Sequence, residues 1–201
     1  VVTGSWSAAS THPGTFTIKS IKYMGNSVWI CVSTDAKTYT SIDDGDNWIE
    51  TTNTPTSVGL ITAARGLDVN IASGVVIVVG VNGGIARSPN GGHDWSSVST
   101  KVEGLDINHL NKVIYCGGDL WCAIGEELDG AELTKTYPGI LISNDDGLTW
   151  TLPSFSIEIS DADASQEIID VECDGRRLIA LSADGNYIYV SNAIGGAESN
   201  V

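Results

Sequence analysis

The sequence predicts an all-β protein, a β-propeller of four-stranded antiparallel blades, with four blades in all. Three observations lead to this prediction. One octet of residues occurs three times, and a degraded fourth copy follows at a similar spacing. The same order of apolar runs and turns precedes each copy. The 201 residues show no apolar period of 3.6, and 23 of them are glycine, which suits short strands joined by tight turns.

The octets read SIDDGDNW at 41–48, SPNGGHDW at 88–95 and SNDDGLTW at 143–150. Each begins with Ser, has Asp or Asn third, Gly fifth and Trp eighth. Their first residues lie 47 and 55 positions apart, and the fourth copy, SNAIGGAE at 191–198, follows 48 positions later. The fourth copy keeps the Ser and the Gly but lacks the Asp and the Trp. A repeat of about 45 to 55 residues has the length of one propeller blade.

Within each repeat, a Gly-containing turn joins the first two apolar runs, and the octet follows the third run. The segments MGNS, CGGD and CDGR are typical hairpin turns, because Gly and Asn tolerate positive φ. The octet is the next turn, and its Trp begins a fourth strand in NWIETT, DWSSVS and TWTLPS. We therefore expect one propeller domain over 1–201, with repeats at about 15–55, 56–100, 101–153 and 154–201.

The last repeat lacks a good fourth strand, since its sequence after Ser191 is rich in Gly, Ala and Asn. The N-terminal segment TGSW has a Gly before a Trp, as the octets do. Residues 1–10 are therefore expected to complete the fourth blade, which would hide two sheet edges. The alternative is that the chain is part of a longer protein and a fragment of a larger propeller.

Composition excludes some partners and sites. The formal net charge of −15 argues against binding nucleic acid, which needs clustered Lys and Arg. No apolar run is long enough to cross a bilayer, and the N-terminus lacks the basic start and apolar centre of a signal peptide. We expect the cysteines to be free, buried thiols, and a disulfide between Cys116 and Cys122 is the alternative. No metal ion or cofactor is expected, because the three histidines have no ligand spacing to the cysteines.

The octets resemble the Asp box, or bacterial neuraminidase repeat, of sequence Ser/Thr-x-Asp-x-Gly-x-Thr-Trp. The copy at 143–150 matches fully, and the resemblance spans the chain. A short carboxylate or amide can accept hydrogen bonds from following backbone N–H groups, Gly permits the turn, and Trp packs between blades. The expected role is structural for all of the matching residues: Ser41, Asp43, Gly45, Trp48, Ser88, Asn90, Gly92, Trp95, Ser143, Asp145, Gly147 and Trp150.

Asp boxes also occur in sialidases, so a sialidase-like glycoside hydrolase is an alternative. Sialidases of that family use an arginine triad and carry an Arg-Ile-Pro segment near their start. This chain has only four arginines and no such segment, and Arg176 and Arg177 are adjacent, so they point to opposite faces of a strand. No pair of carboxylates is singled out for hydrolysis. We expect no catalytic residues and no enzymatic activity.

Each repeat has an apolar second strand, a short third strand and then the box. In this order the chain resembles non-catalytic Asp-box propellers, which include domains of tailed-phage structural proteins and photosystem II assembly factors. The chain is acidic and poor in arginine, which distinguishes it from the assembly factors. A scaffolding propeller of the assembly-factor kind is therefore kept as an alternative. The resemblance implies a phage virion module, from a tail fibre, a tail-associated protein or a head decoration protein, assembled in the host cytoplasm. An extracellular or cell-surface location is the alternative. Implied partners are other virion or surface proteins, or glycans, within an oligomeric assembly, with no membrane insertion.

The candidate binding face carries the two longest non-repeating segments. These are the connection between the second and third strands of repeat three, at 125–139, and the crossover into repeat four, at 152–167. In a propeller such segments share one face, and the octets lie on the other. If these segments have a function, they bind calcium or dock a partner protein. The alternative is that they are acidic loops in contact with solvent only. The candidate partner-binding residues are Glu126, Glu127, Asp129, Glu132, Tyr137, Phe155, Glu158, Asp161 and Asp163, with Glu167 beside them.

Overall fold

The computed structural model describes residues 5, 7–11, 16–56, 61–98, 106–107, 109–129, 137–153, 167–183 and 185–191. Within these residues the chain forms four antiparallel sheets and no helix. The predicted all-β fold of antiparallel blades is confirmed. None of the described segments is a helix long and apolar enough to cross a membrane.

Blades 1 and 2 each have four strands in sequence order. The strands of blade 1 are β1 (Ile18–Gly25), β2 (Val28–Ser33), β3 (Thr38–Ser41) and β4 (Ile49–Glu50). Those of blade 2 are β5 (Ala64–Asn70), β6 (Val75–Gly80), β7 (Ile85–Ser88) and β8 (Ser96–Val98). The strand after the octet Trp is therefore shorter than the sequence predicts.

Blades 3 and 4 depart further from the repeat. Blade 3 contains β9 (Asp106–Ile107), β10 (Leu110–Gly117), β11 (Leu120–Asp129) and β12 (Tyr137–Ser143), and β9 pairs with the far end of β11. Its predicted fourth strand is reduced to one bridge between Ile142 and Thr151. Blade 4 contains β13 (Ile168–Cys173), β14 (Leu178–Ser182) and β15 (Ile188–Val190) within the described residues.

The turn between the first two strands of a blade uses the predicted residues. In blade 1 this turn has positive φ at Gly25, Asn26 and Ser27, with values of 91°, 51° and 64°. The corresponding turns of blades 3 and 4 have positive φ at Gly117 and Gly175. Glycine adopts this region without a steric penalty, and Asn does so more easily than most residues.

The core lies between successive blades. The first strands contact one another in the order β1, β5, β10, β13. One apolar cluster joins blades 1 and 2 around Ile30 and Leu67, and a second joins blades 2 and 3 around Ile77 and Val113. A third cluster joins blades 3 and 4 around Ile124. This packing places the first strand of each blade innermost, as in a propeller.

Three sequence predictions need correction or lie outside the described residues. The segment 125–139 is not simply a loop, because β11 continues to Asp129, β12 begins at Tyr137, and Leu128 pairs with Tyr137 across the two strands. Trp95 and Trp150 are buried, but Trp48 is only half-buried. The predicted closure of blade 4 by TGSW falls mainly on residues that are not described. Thr11, further along, donates from its backbone N–H to Asp46 O in the first octet, at 3.2 Å.

All four cysteines are free thiols. Cys31, Cys116 and Cys122 are buried, and Cys173 is half-buried. Burial raises the pKa of the Cys31 thiol to about 12, against the weaker effect of a backbone hydrogen bond at Tyr39. Burial also raises the pKa of Cys116 and Cys122. A buried thiol with a raised pKa is a poor nucleophile at neutral pH, so these side chains act as small apolar core residues.

Candidate functional site

The three described octets form hydrogen-bonded turns beside the first hairpins of blades 1, 2 and 3. In the third octet, Ser143 Oγ donates to Asp145 Oδ1 at 2.8 Å and accepts from Gly147 N at 3.0 Å. Asp145 accepts from Thr149 N at 2.8 Å and from Thr149 Oγ1 at 2.6 Å. Trp150 Nε1 donates to Gly147 O at 3.2 Å. The polar groups of the turn therefore bond to one another.

The first two octets repeat this network with different residues. Asp43 accepts from Asn47 N at 2.9 Å, and Asn90 accepts from Asp94 N at 2.9 Å. Hydrogen bonds from the Asn47 side chain and backbone hold the pKa of Asp43 below its ordinary value. At Asp145, burial alone would raise the pKa, but hydrogen bonds from Thr149 and Ser143 outweigh it and lower the pKa. These contacts stabilise the turn, and the structural role of the octets remains a prediction for mutagenesis.

The opposite end of the blades has a different construction, based on a β-bulge. Each innermost strand carries one extra residue where it pairs with the second strand of its blade. The extra residues are Lys19, Arg65, Asn111 and Ile169. A bulge removes a residue from the regular ladder and redirects its side chain. Lys19, Arg65 and Asn111 line a common open depression of about 460 Å³. We call Lys19, Arg65, Asn111 and the acids that contact them the mouth site.

Hydrogen bonds join the mouth site across three blades. Arg65 Nη1 donates to Asn111 Oδ1 at 2.5 Å and lies 3.4 Å from Glu126 Oε1. Asn111 Nδ2 donates to Glu167 Oε1 at 3.1 Å. Lys19 is exposed and forms no hydrogen bond or ion pair with another described residue. The site thus offers one ammonium that no other described residue pairs with, beside a guanidinium that is already oriented by its neighbours.

His109 adds a further polar group beside the mouth site. Its Nε2 lies 4.0 Å from Glu126 Oε1, and its buried Nδ1 has no hydrogen-bond partner. The described residues contain no group of three or more His, Cys, Asp or Glu side chains that could hold a metal ion. The arrangement can instead bind a carboxylate, because ammonium and guanidinium groups form charge-assisted hydrogen bonds with carboxylate oxygens.

Only part of the predicted binding face is described. Glu126 and Glu167 lie at the mouth site, where they contact Arg65 and Asn111 respectively. Glu127 and Asp129 belong to β11 and Tyr137 to β12, and only their backbone is described. The remaining candidates lie outside the described residues: Glu132, Phe155, Glu158, Asp161 and Asp163.

Sequence reasoning missed the basic half of the mouth site. It searched the long connections between strands, whereas Lys19, Arg65 and Asn111 occupy one equivalent position within the innermost strands. An alignment of the four repeats strand by strand could have drawn attention to this position. It would still not have indicated a bulge, because a one-residue register shift is invisible in the apolar pattern of a single strand.

Comparisons with known proteins support the fold. No protein-family model and no curated protein matches the chain. Among solved structures, YCF48 bound to D1 peptide matches with a TM-score of 0.57 and 17% identity, over 90% of this chain and 52% of that chain. The computationally designed Ika4 protein matches with a TM-score of 0.63 and 11% identity, over 96% of this chain and 100% of that chain. The GH74 enzyme of Niastella koreensis matches with a TM-score of 0.54 and 19% identity, over 84% of this chain and 26% of that chain.

These identities show a shared β-propeller fold and no more. The chain spans about half the length of the YCF48 chain and about a quarter of that of the GH74 enzyme.

Proposed function

We propose that this protein is a non-catalytic β-propeller module that binds a protein segment through the mouth site, using Lys19 and Arg65 to hold a carboxylate. The observation that carries the proposal is the placement of these two cations at equivalent bulges of neighbouring blades. In a chain of net charge −15, such a site is a local exception to the charge of the whole molecule. Glu126 and Glu167 would orient the site and repel partners that lack a matching charge.

A structural relative favours a peptide over a small molecule as the ligand. YCF48 was solved bound to D1 peptide, so a propeller of similar fold accommodates a peptide. The open depression in this chain has no enclosed pocket of the kind that buries a small ligand. A flexible segment of a partner protein can follow the rim across blades and place one carboxylate between Lys19 and Arg65.

The test is a library of ten-residue peptides with free C-terminal carboxylates, screened by fluorescence polarisation against the purified chain. Lys19→Glu should weaken binding of the selected peptides at least about tenfold, because it replaces attraction by repulsion. Arg176→Glu is the matched control, since it makes the same charge change in an exposed turn at the octet end of blade 4. Equal loss in both variants, or no loss in Lys19→Glu, would reject the mouth site.

Two further arms separate the remaining alternatives. A glycan array tests whether the protein binds glycans instead of a peptide. Selective glycan binding that depends on Lys19 would replace the peptide proposal. Incubation with sialosides and β-linked oligosaccharides probes the glycoside hydrolase reading, for which we expect no turnover. Hydrolysis that Glu126→Gln or Glu167→Gln abolishes would identify an enzyme.

The proposed setting is a phage virion, in a tail fibre, a tail-associated protein or a head decoration protein. Acidic composition, Gly-rich repeats and four free thiols support this setting, since assembly in a reducing cytoplasm leaves thiols unpaired. None of the three solved structures compared above is a virion protein, so the setting rests on the sequence. Mass spectrometry of purified virions should detect the chain at a fixed stoichiometry. Detection only in the unassembled lysate would contradict it.

A further inference from the structure

The junction of blades 1 and 2 and the junction of blades 2 and 3 share one construction. At the junction of blades 1 and 2, a Cβ added to Gly92 of the octet would lie 2.7 Å from Ile30 Cδ1. At the junction of blades 2 and 3, a Cβ added to Gly147 would lie 2.6 Å from Ile77 Cδ1. In these two junctions the octet of the later blade therefore sits directly on the second strand of the blade before it, and Ile30 and Ile77 are fully buried.

Blade 4 presents the same face, and no described residue of another blade covers it. The pairing registers make Ile179 equivalent to Ile30 and Ile77, and Leu181 equivalent to Val32 and Val79. Ile179 is 49% exposed and Leu181 39%, whereas the four equivalent residues are 0% exposed. Ile188 on β15 is 69% exposed. We call Ile179, Leu181 and Ile188 the last end face.

Blade 1 presents the complementary face, which no other blade covers among the described residues. Its octet contacts Thr11, which accepts a hydrogen bond from Trp48 N at 3.0 Å. Ile21 is equivalent to Leu67 and Val113, which pack against the preceding blade and are each 1% exposed, yet Ile21 is 49% exposed. Trp48 in the adjacent octet is half-buried, unlike its equivalents in blades 2 and 3. We call Ile21, Tyr23 and Trp48 the first end face.

Ion pairs join the innermost strands of blades 1 and 2 and those of blades 3 and 4. Lys22 of blade 1 pairs with Asp68 of blade 2 at 3.0 Å, and Lys112 of blade 3 pairs with Asp170 of blade 4 at 2.5 Å. Burial would lower the pKa of Lys112, but hydrogen bonds to Asp170 and Glu172 outweigh it and raise the pKa. Glu172, whose side chain is 80% exposed, occupies the position equivalent to Lys22 and Asp68. The blade 3 residue at this position is Ile114, so the charges do not alternate around the whole molecule. A blade 1 placed after blade 4 would nevertheless set Lys22 beside Glu172, the same pairing of a lysine with an acid as between Lys22 and Asp68.

We propose that the two end faces bind each other between two copies of this chain, so that blade 4 of each copy packs on blade 1 of the other in an eight-bladed ring. Each new junction would repeat the construction of the internal ones, with Gly45 of one copy seated on Ile179 of its partner. Two copies close such a head-to-tail arrangement at eight blades, within the range of four to eight that is typical of propellers, whereas three copies would exceed it. The assembly is argued from the end faces and does not depend on the proposed peptide binding.

The first experiment measures the mass of the 201-residue chain in solution. Sedimentation velocity between about 1 and 100 µM should show a species of about 42 kDa, twice the chain mass of 21.1 kDa. A mass of one chain at every concentration would overturn the proposal. That result would mean that another segment of the same chain, or additional blades of a longer protein, covers the end faces.

The second experiment disrupts each end face separately. Ile179→Arg and Ile21→Glu should each raise the dimer dissociation constant by about a hundredfold or more, because each leaves an unpaired charge in an apolar junction. Both residues are exposed in the single copy, so circular dichroism should remain unchanged. Ile42→Arg is the matched control. Ile42 is 75% exposed, and its equivalent in blade 2, Pro89, stays exposed beside a formed junction.

The third experiment mixes the two variants. It also distinguishes a disrupted end face from a variant that fails to fold, because a misfolded variant cannot restore the dimer. An equimolar mixture of Ile179→Arg and Ile21→Glu should recover the two-copy mass, since one junction is native and the other sets Arg opposite Glu. Dimerisation of Ile179→Arg alone, or no recovery in a mixture of two folded variants, would overturn the proposed pairing of faces.

Discussion

Trp150 and Trp48 hold the same position in two octets, but their surroundings differ. Trp150 is 4% exposed between blades 2 and 3, whereas Trp48 is half-buried. Trp150→Ala should lower the free energy of unfolding by about 3–5 kcal/mol, the usual effect of truncating a buried aromatic. Trp48→Ala should cost about 2 kcal/mol or less, because less apolar area leaves water.

Both tryptophan variants should be compared by urea unfolding in the Ile179→Arg background, which keeps the first end face uncovered. Equal losses of stability would contradict the difference in packing. Circular dichroism of each folded variant serves as the control for a change of fold.

Asp145 makes the octet turn sensitive to pH. Folding lowers the pKa of Asp145 from its ordinary value of 3.8. The ionised carboxylate therefore stabilises the fold at pH values above 3.8. This contribution is lost as the pH falls through the lower pKa of the folded protein. Asp145→Asn should therefore reduce the free energy of unfolding at pH 6. The difference from the wild type should shrink below about pH 3.8.

Asn is a fair replacement at this position, because Asn90 accepts the equivalent backbone hydrogen bond in the second octet. Urea unfolding at a series of pH values measures the difference. A difference that stays constant from pH 6 to pH 3 would show that the charge of Asp145 has no part in the effect.

The residue types of the octet could be predicted from the sequence because their spacing matches the hydrogen bonds of one local turn. Acceptor, donor and glycine all lie within eight residues. The mouth site could not be predicted in the same way. Arg65, Asn111 and Glu126 are distant in sequence, and their contacts depend on bulges and on blade packing rather than on local spacing.

At the scale of single elements, the contact between an octet turn and a neighbouring strand can be isolated by glycine substitution. Gly147→Ala introduces both a methyl group at positive φ (83°) and a close contact with Ile77. Gly74→Ala introduces a methyl group at a similar φ (76°) with no atom within 4 Å. We expect Gly147→Ala to cost about 1–3 kcal/mol more than Gly74→Ala, from overpacking. Thermal or urea unfolding measures the stability of both variants. Equal losses of stability would show that the close contact with Ile77 adds no cost.

Strands were predicted well where apolar alternation is strong and poorly elsewhere. The order and approximate positions of β5, β6 and β7 follow from short apolar runs separated by glycine turns. The end of β11 carries GEELD, an acidic segment with no apolar alternation, and it forms a strand because β12 and β9 pair with it. Such pairing is a tertiary effect that overrides local preference.

At the scale of the whole molecule, the order of blade contacts determines where the fold opens. In the part of the chain that the structure describes, blades 2 and 3 are covered by apolar clusters on both faces, whereas blades 1 and 4 are covered on one. In the Ile179→Arg variant, hydrogen–deuterium exchange should therefore be slowest in β6 and β11 and faster in β14, as expected for a repeat protein whose end units have fewer neighbours. Uniform exchange across all four blades would indicate a single cooperative unit. The sequence predicted four blades, but it did not indicate that the first and last blades leave apolar faces exposed, because that depends on ring geometry.

The bulge in each innermost strand has a consequence for how this molecule can diversify. The extra residue takes no part in the regular register of the sheet, so its identity is not constrained by strand pairing. Lys, Arg, Asn and Ile already occupy the four equivalent bulges. Under the proposed function, substitutions at Lys19, Arg65 or Asn111 would change what the mouth site binds, and Lys19 should tolerate them best because it bonds to no other described residue. Each blade thus combines a regular strand register with one position that this register leaves free to vary.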